Sequence, residues 1–399
     1  MSQHPDVIVV GAGVAGAATT YYLAKADKRV LLLEAERPAF GASGRNPGFL
    51  WLQTKHAGVQ MQLALAGRAF ADGLADEVGD FGFRTSGGLI VYRDPRLAPV
   101  AEAFVADRRR AGLEVTHVHR ARLLELCPTF GPSVIGGVYN PLDAYQETGR
   151  LVDRFIALAV SYRAELRAPV RVVSLRIERG RCAGVTLADG SKIDAGRVVL
   201  AAGPGARSLL EPLGLAPTWT VYRFEAAETA PAPFAIGPVI CGQALFRFFP
   251  PAGVDRRLIE DIVRHPLEGP DAALGFTEQV AQAADGRLRF GCAFTTGDVS
   301  ETATVRGQAI ALGILPETIP ALAELPLVRS WAGLVAQPGD GLPIIDPEPG
   351  VRGLALNIGH FFGNLSGALS GKLIADAMTG RSLAFDLTPL SLRRTLAAV

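Results

Sequence analysis

Cysteine is scarce in this chain of 399 residues: Cys127, Cys182, Cys241 and Cys292 are its four, far apart and with no CxxC pair. That spacing excludes a disulfide scaffold and any zinc or iron–sulfur site held by this chain alone, so no metal is expected. It fits a reducing compartment in which each cysteine is a small buried apolar residue. An excess of charge of one sign is missing too. Forty Lys and Arg face 39 Asp and Glu, for a net charge of +1, which gives no basic field to draw nucleic acid. The one basic run, Arg108-Arg109-Arg110, reads as a solvated helix face. No run of about 18 apolar residues is present to span a membrane, and strand-like sequence from Asp6 leaves no room for a secretory leader. A cytoplasmic protein is expected. Fixed-period repeats and low-complexity segments are also absent.

What is present is a chain 49% apolar, large enough for two domains with a sizeable core. It opens with DVIVV, GAGVAG, AATTYYLAKAD and RVLLLE. An apolar run, a glycine turn, a helical stretch and a second apolar run read as a buried parallel βαβ unit. Gly11, Gly13 and Gly16 complete a GxGxxG fingerprint: a tight turn, close approach of backbone N–H groups to a pyrophosphate, and close packing of helix on strand. Ala15 lies inside that turn. Glu34, eighteen residues past Gly16, with Ala35 beside it, ends the second strand where a ribose would be held.

The fingerprint says dinucleotide without saying which. Residues 168–203 read as alternating strands joined by turns at Glu178–Arg181 and Asp189-Gly190, then a buried strand ending in AAGPGA. This small meander feeding back to a parallel sheet resembles the FAD-binding two-domain oxidoreductases, a resemblance that implies Val172 or Val173 near the adenine and Ala202-Gly203 near the nucleotide. GASGRNPGFLW at 41–51 resembles the loop following the acidic residue in the D-amino-acid oxidase, sarcosine oxidase and glycine oxidase superfamily. There it implies phosphate and ribityl contacts from Ser43, Arg45 and Asn46, and a close approach of Gly48 to the flavin ring. WAGLVAQPGDGLPIID at 331–346 and GLALNIGHFFGNLSGALSGK at 353–372 resemble the glycine-oxidase ending, with Asp340-Gly341 as a turn. That ending places Gly359, Phe361, Phe362, Gly363 and Asn364 at the flavin, where a helix N-terminus favours negative charge on the reduced ring.

Two departures from the family matter. Covalent-flavin members carry a cysteine seven residues before the aspartate matching Asp340; Gly333 stands here, which implies noncovalent FAD. Glycine-oxidase-like members follow W-A-G-L with an arginine for the substrate carboxylate; Val335 stands here, so another cation must serve. The candidates are Lys55, His56, Arg223 and Arg247, with His360 as a candidate base or a hydrogen-bonding strut. Lys55 also reads as solvated, and Arg223 and Arg247 each also read as paired with an acidic neighbour such as Glu225. Trp51, Tyr222 and Phe246 read as core or pocket walls.

The expected fold is α/β: a discontinuous Rossmann-like FAD domain of parallel sheet plus β-meander (1–85, 141–220, 325–399) and an α+β substrate domain (86–140, 221–324). The latter is expected to be an antiparallel sheet with helices on one face. The resemblance implies hydride transfer from the C–N bond of an amino or imino acid (a proline derivative, an opine or a D-amino acid) to FAD. It also implies that some such chains work with partner subunits in a heteromeric dehydrogenase; a homo-oligomer is equally compatible. A flavin-dependent 2-hydroxy-acid dehydrogenase and a non-catalytic FAD-binding subunit are the competing readings.

Overall fold

The computed structural model describes residues 4–263 and 274–396. Its organising element is the strand Val7–Val10, buried along its whole length, as a run of β-branched residues covered on both faces should be. It pairs in parallel with Val30–Leu33 on one side and Arg197–Leu200 on the other. Glu165–Arg167 extends the sheet beyond Val30–Leu33; Leu354–Ile358 and then Ile344–Asp346 extend it beyond Arg197–Leu200. Only the last pairing is antiparallel. The helix Val14–Lys25 starts at the glycine turn and packs against the helices Thr148–Ser161 and Gly363–Thr379. Segments distant in sequence therefore close one nucleotide-binding unit.

The meander comprises Val172–Glu178, Arg181–Leu187 and Lys192–Asp194. Its first turn is sharp because Arg179 and Gly180 both hold left-handed backbone, at φ 51° and 72°, the twist that a two-residue hairpin needs.

The second unit is an eight-stranded sheet in the order Leu327–Pro338, Trp219–Pro231, Arg287–Thr296, Gly275–Gln282, Val239–Cys241, Gly88–Tyr92, Gly136–Asn140, Thr116–His119. All its pairings are antiparallel except Val239–Cys241 with Gly88–Tyr92. Two expectations need correction here. The strand carrying WAGL pairs with Trp219–Pro231 over its length, so 327–338 belongs to this sheet and not to the parallel one. Helices also cover both faces. Ile90 and Tyr92 point into a core with Phe104 of the helix Ala98–Arg110, while Leu89 and Val91 point into another with Leu315 of the helix Val305–Thr318. Alternation along one strand sends neighbouring side chains to opposite faces. A third correction concerns the basic run: Arg109 and Arg110 are exposed, but Arg108 is buried and donates to the carbonyl oxygens of Gln53 and Lys55. All four cysteines are buried and unpaired. Among the described residues, no helix is long and apolar enough to cross a membrane.

Candidate active site

A cavity of about 1530 Å³ runs from the carboxyl ends of the parallel strands to the inner face of the eight-stranded sheet. That is the place where open α/β sheets bind ligands, and it exceeds the 300–1,000 Å³ or so of an ordinary single-ligand pocket.

At its nucleotide end the glycine turn divides its labour. A Cβ on Gly16 would fall 1.9 Å from the Gly11 carbonyl oxygen, so Gly16 serves helix–strand packing, whereas Gly13 and Ala15 line the cavity. Glu34 is oriented by two backbone donors, Ala12 N at 2.7 Å and Glu36 N at 2.9 Å. Ala35, Val172, Val173, Ala202 and Gly203 complete this end. Ser43 Oγ accepts from Val14 N at 3.0 Å and lies close to the position that a Cβ on Gly13 would take. The helix Val14–Lys25 has no acidic residue in its first turn, which leaves its positive end available to an anion.

Arg45 stacks over the Phe40 ring at 4.2 Å, with Nη1 2.8 Å from Glu301 Oε2. That contact is off hydrogen-bond geometry, so Nη1 is a buried donor without an acceptor, on the cavity wall. Asn46 lines the cavity and is also engaged by the protein. Its Nδ2 donates to the carbonyls of Ala42 and Ser43, while its Oδ1 accepts from Gly48 N and Asn364 Nδ2. It ties the loop to the start of the helix Gly363–Thr379. Gly48 is required by protein packing: at φ 94°, a Cβ there would strike the Tyr145 ring at 2.5 Å. It does not line the cavity. Gly333, Gly359, Phe361, Phe362, Gly363 and Asn364 all do. An elongated cavity with an anchored acidic residue at one end, two helix N-termini along it and an orphaned arginine donor fits FAD.

The cation candidates separate cleanly. His56 is exposed and off the cavity wall. Lys55 is 4% exposed and sits over the Phe362 ring, behind the wall and far from solvent; burial pushes its amine well below the usual lysine range. Arg223 is fully buried, paired with Glu225 at 2.7 Å and donating to Ser300 O and Thr302 O. It holds the 298–304 loop and does not reach the cavity. His360 lines the cavity, yet Nδ1 meets Ser366 Oγ and Nε2 meets Asn357 Oδ1, each at 2.8 Å. Burial pulls its pKa down to about 4, and with both ring nitrogens engaged it stands as a neutral hydrogen-bonding strut on the wall. Arg247 remains. It lines the cavity, it approaches Val263 O at only 3.5 Å, and among the described residues no carboxylate pairs with it.

The end of the cavity next to Arg247 is aromatic. Phe248 meets Phe294 at 5.3 Å, Phe294 meets Phe224 at 5.3 Å, and Tyr222 meets Phe361 at 5.3 Å between ring centroids. Of the expected walls, Tyr222 and Trp51 line the cavity; Phe246 is core, edge-on to Phe104. Phe224, Phe248, Phe294 and Glu301 escaped the sequence reading. The alternation in TVYRFE and RLRFGCAF could have flagged Phe224 and Phe294, whereas Phe248 at a helix end and a loop glutamate carry no such signal.

Comparison with known proteins agrees with this geometry. The family described as "FAD dependent oxidoreductase" (DAO) matches residues 6–377. A glycine oxidase of Geobacillus kaustophilus (strain HTA426) is 26% identical over 410 residues, covering 100% of this chain and 99% of the relative. A subunit of the opine oxidase of Rhizobium meliloti is 24% identical over 403 residues, covering 98% of this chain and 97% of the relative. The crystal structure of the Geobacillus kaustophilus glycine oxidase superposes with a TM-score of 0.83 at 25% identity, over 99% of this chain and 100% of that one. A match running from the first strand into the last long helix is the fingerprint, the meander and the closing helix read as one unit, and the chain belongs to the DAO family of FAD-dependent oxidoreductases.

Proposed function

We propose that this oxidoreductase oxidises the C–N bond of an amino or imino acid and that Arg247 holds the substrate carboxylate. The observation that carries the reading is Arg247 itself, a cavity-lining cation with no carboxylate partner among the described residues. Relatives that are a glycine oxidase, an opine oxidase subunit and a D-amino acid dehydrogenase support an amino-acid or opine substrate; a proline derivative is the further member of the proposed class.

When bound, FAD supplies the two-electron acceptor that side chains cannot provide. It would lie between Glu34 at the ribose end and Gly359–Asn364 at the helix N-terminus. The chain's own contribution is placement. Arg247 fixes the carboxylate by charge-assisted hydrogen bonds, and the rings around it exclude water and hold the amine-bearing carbon in one orientation. Neither His360, with both ring nitrogens engaged, nor Glu301, facing Arg45, is set to take a proton. The amine therefore binds already neutral, having lost its proton to solvent, and the imine product is hydrolysed in water. No side-chain base is needed.

Anaerobic titration of the holoenzyme with paired amino and 2-hydroxy acids tests the reading. Bleaching of the flavin by amines alone, with release of ammonia or an amine on hydrolysis, is expected. Bleaching by the hydroxy acids alone would establish a 2-hydroxy-acid dehydrogenase instead. Since the opine oxidase relative is one subunit of its enzyme, oxygen uptake by the isolated chain then separates an oxidase from a dehydrogenase that passes electrons to a partner.

A further inference from the structure

The charged residues among the described cavity walls are few. Glu34 is held by backbone donors, Glu36 pairs with Arg171 at 2.9 Å, and Glu301 faces Arg45 at 2.8 Å. Among the described residues, Arg247 is the wall cation that no carboxylate pairs with. Among the described residues, one substrate carboxylate can be matched; a second would meet rings there, where an unpaired charge is costly.

Those rings are set in register. Across the sheet, Gly333, Phe224, Phe294 and Gly275 form one row, and Val335, Tyr222 and Thr296 the next. Gly275 makes room at the end of its row: a Cβ there would come 2.1 Å from the Phe294 ring. Val335, in the position expected of an arginine, adds another apolar surface beside Tyr222. Phe248, 37% exposed, stands immediately after Arg247 in the chain and stacks edge-on to Phe294. Arg247 thus borders a continuous aromatic wall that leads to Phe361 at the glycine-rich helix start.

We infer that the substrate is an amino or imino monocarboxylate with an apolar, ring-sized side group, selected by Phe224, Phe248 and Phe294. This rests on the reading that Arg247 takes the carboxylate, and it narrows the substrate class away from glycine, which leaves the wall uncovered, and from opines, which bring a second carboxylate.

The test titrates the visible absorbance of the holoenzyme with three non-oxidisable probes: phenylacetate, acetate and succinate. Phenylacetate is expected to bind at least about tenfold tighter than acetate, as burial of a ring implies, and succinate no tighter than acetate. Phe248→Ala, at a partly exposed position, should shrink the phenylacetate advantage severalfold and leave acetate unchanged; Phe294→Ala should shrink it further. In turnover, kcat/KM should rank an aromatic or branched amino or imino acid above glycine and above a dicarboxylic opine. Equal affinity for phenylacetate and acetate, or tightest binding by succinate, overturns the inference while amine turnover keeps the underlying reading alive. Absence of flavin bleaching by every amine would instead remove that reading.

Discussion

The two ends of the cavity are built on different physics. At the nucleotide end the wall is largely backbone: a glycine turn, the N-terminus of the helix Val14–Lys25 and an acidic side chain fixed by main-chain donors. At the sheet end, side chains dominate, and what each can do depends on its neighbours. Arg223 and Arg247 are both arginines flanked by aromatic residues in the sequence, yet one is locked to Glu225 beneath the sheet and the other stands on the cavity wall.

The sharpest way to break that contrast is at the turn. Gly16→Val should destabilise the fold by about 3 kcal/mol or more, since the Cβ overlaps the Gly11 carbonyl and has no space to move into. Gly13→Val should lose FAD but leave the apo fold less affected, because its nearest neighbour is the Ser43 hydroxyl. Thermal unfolding together with flavin content separates the two; equal melting of both variants would show that packing and cofactor approach are not divided between them.

Next in size is His360. Its folded pKa of about 4 lies below the unfolded value, so the unfolded chain binds the extra proton at intermediate pH. The stability is fully present above about pH 6.5 and is lost as pH falls toward 4, by about 3 kcal/mol in all. His360→Asn should flatten this slope in denaturant titrations across that window, without creating a new inflection in the kcat profile. Loss of a kcat ionisation in the variant would restore His360 as a base.

Smaller effects are expected from Glu34→Gln and Gly333→Ala. The first keeps shape but removes the charge that the Ala12 and Glu36 amides face, weakening FAD retention by about 1–2 kcal/mol. The second asks Arg45 Cβ, 3.2 Å from the new methyl group, to give way by a few tenths of an ångström. A cost below about 1 kcal/mol is expected, with FAD still released on denaturation. Flavin retained by the precipitated wild-type chain would contradict the noncovalent assignment.

The parallel sheet, the meander and its turns were legible because runs such as VIVV and signals such as Asp189-Gly190 specify backbone locally. Gly48 was legible as a glycine that must stay one, but its reason, the Tyr145 ring, lies about a hundred residues away in sequence. Lys55 and Arg108 read as solvated because burial of a charge is a tertiary fact; here Arg108 caps the carbonyls of residues 53 and 55 beneath the loop. The WAGL strand read as part of the cofactor unit because its sequence resembles a cofactor-contacting segment, while its hydrogen bonds belong to the other sheet. Arg247 stood among four candidates that only burial and ion pairing could separate.

If Arg247 serves the substrate and not the fold or the flavin, Arg247→Met, a neutral residue of comparable length, should retain wild-type FAD content and melting temperature. Its kcat/KM for the acid should fall roughly 30- to several-thousand-fold, the cost of leaving a bound carboxylate unpaired, while a carboxamide analogue is spared. Turnover of the acid within threefold of wild type would contradict that role.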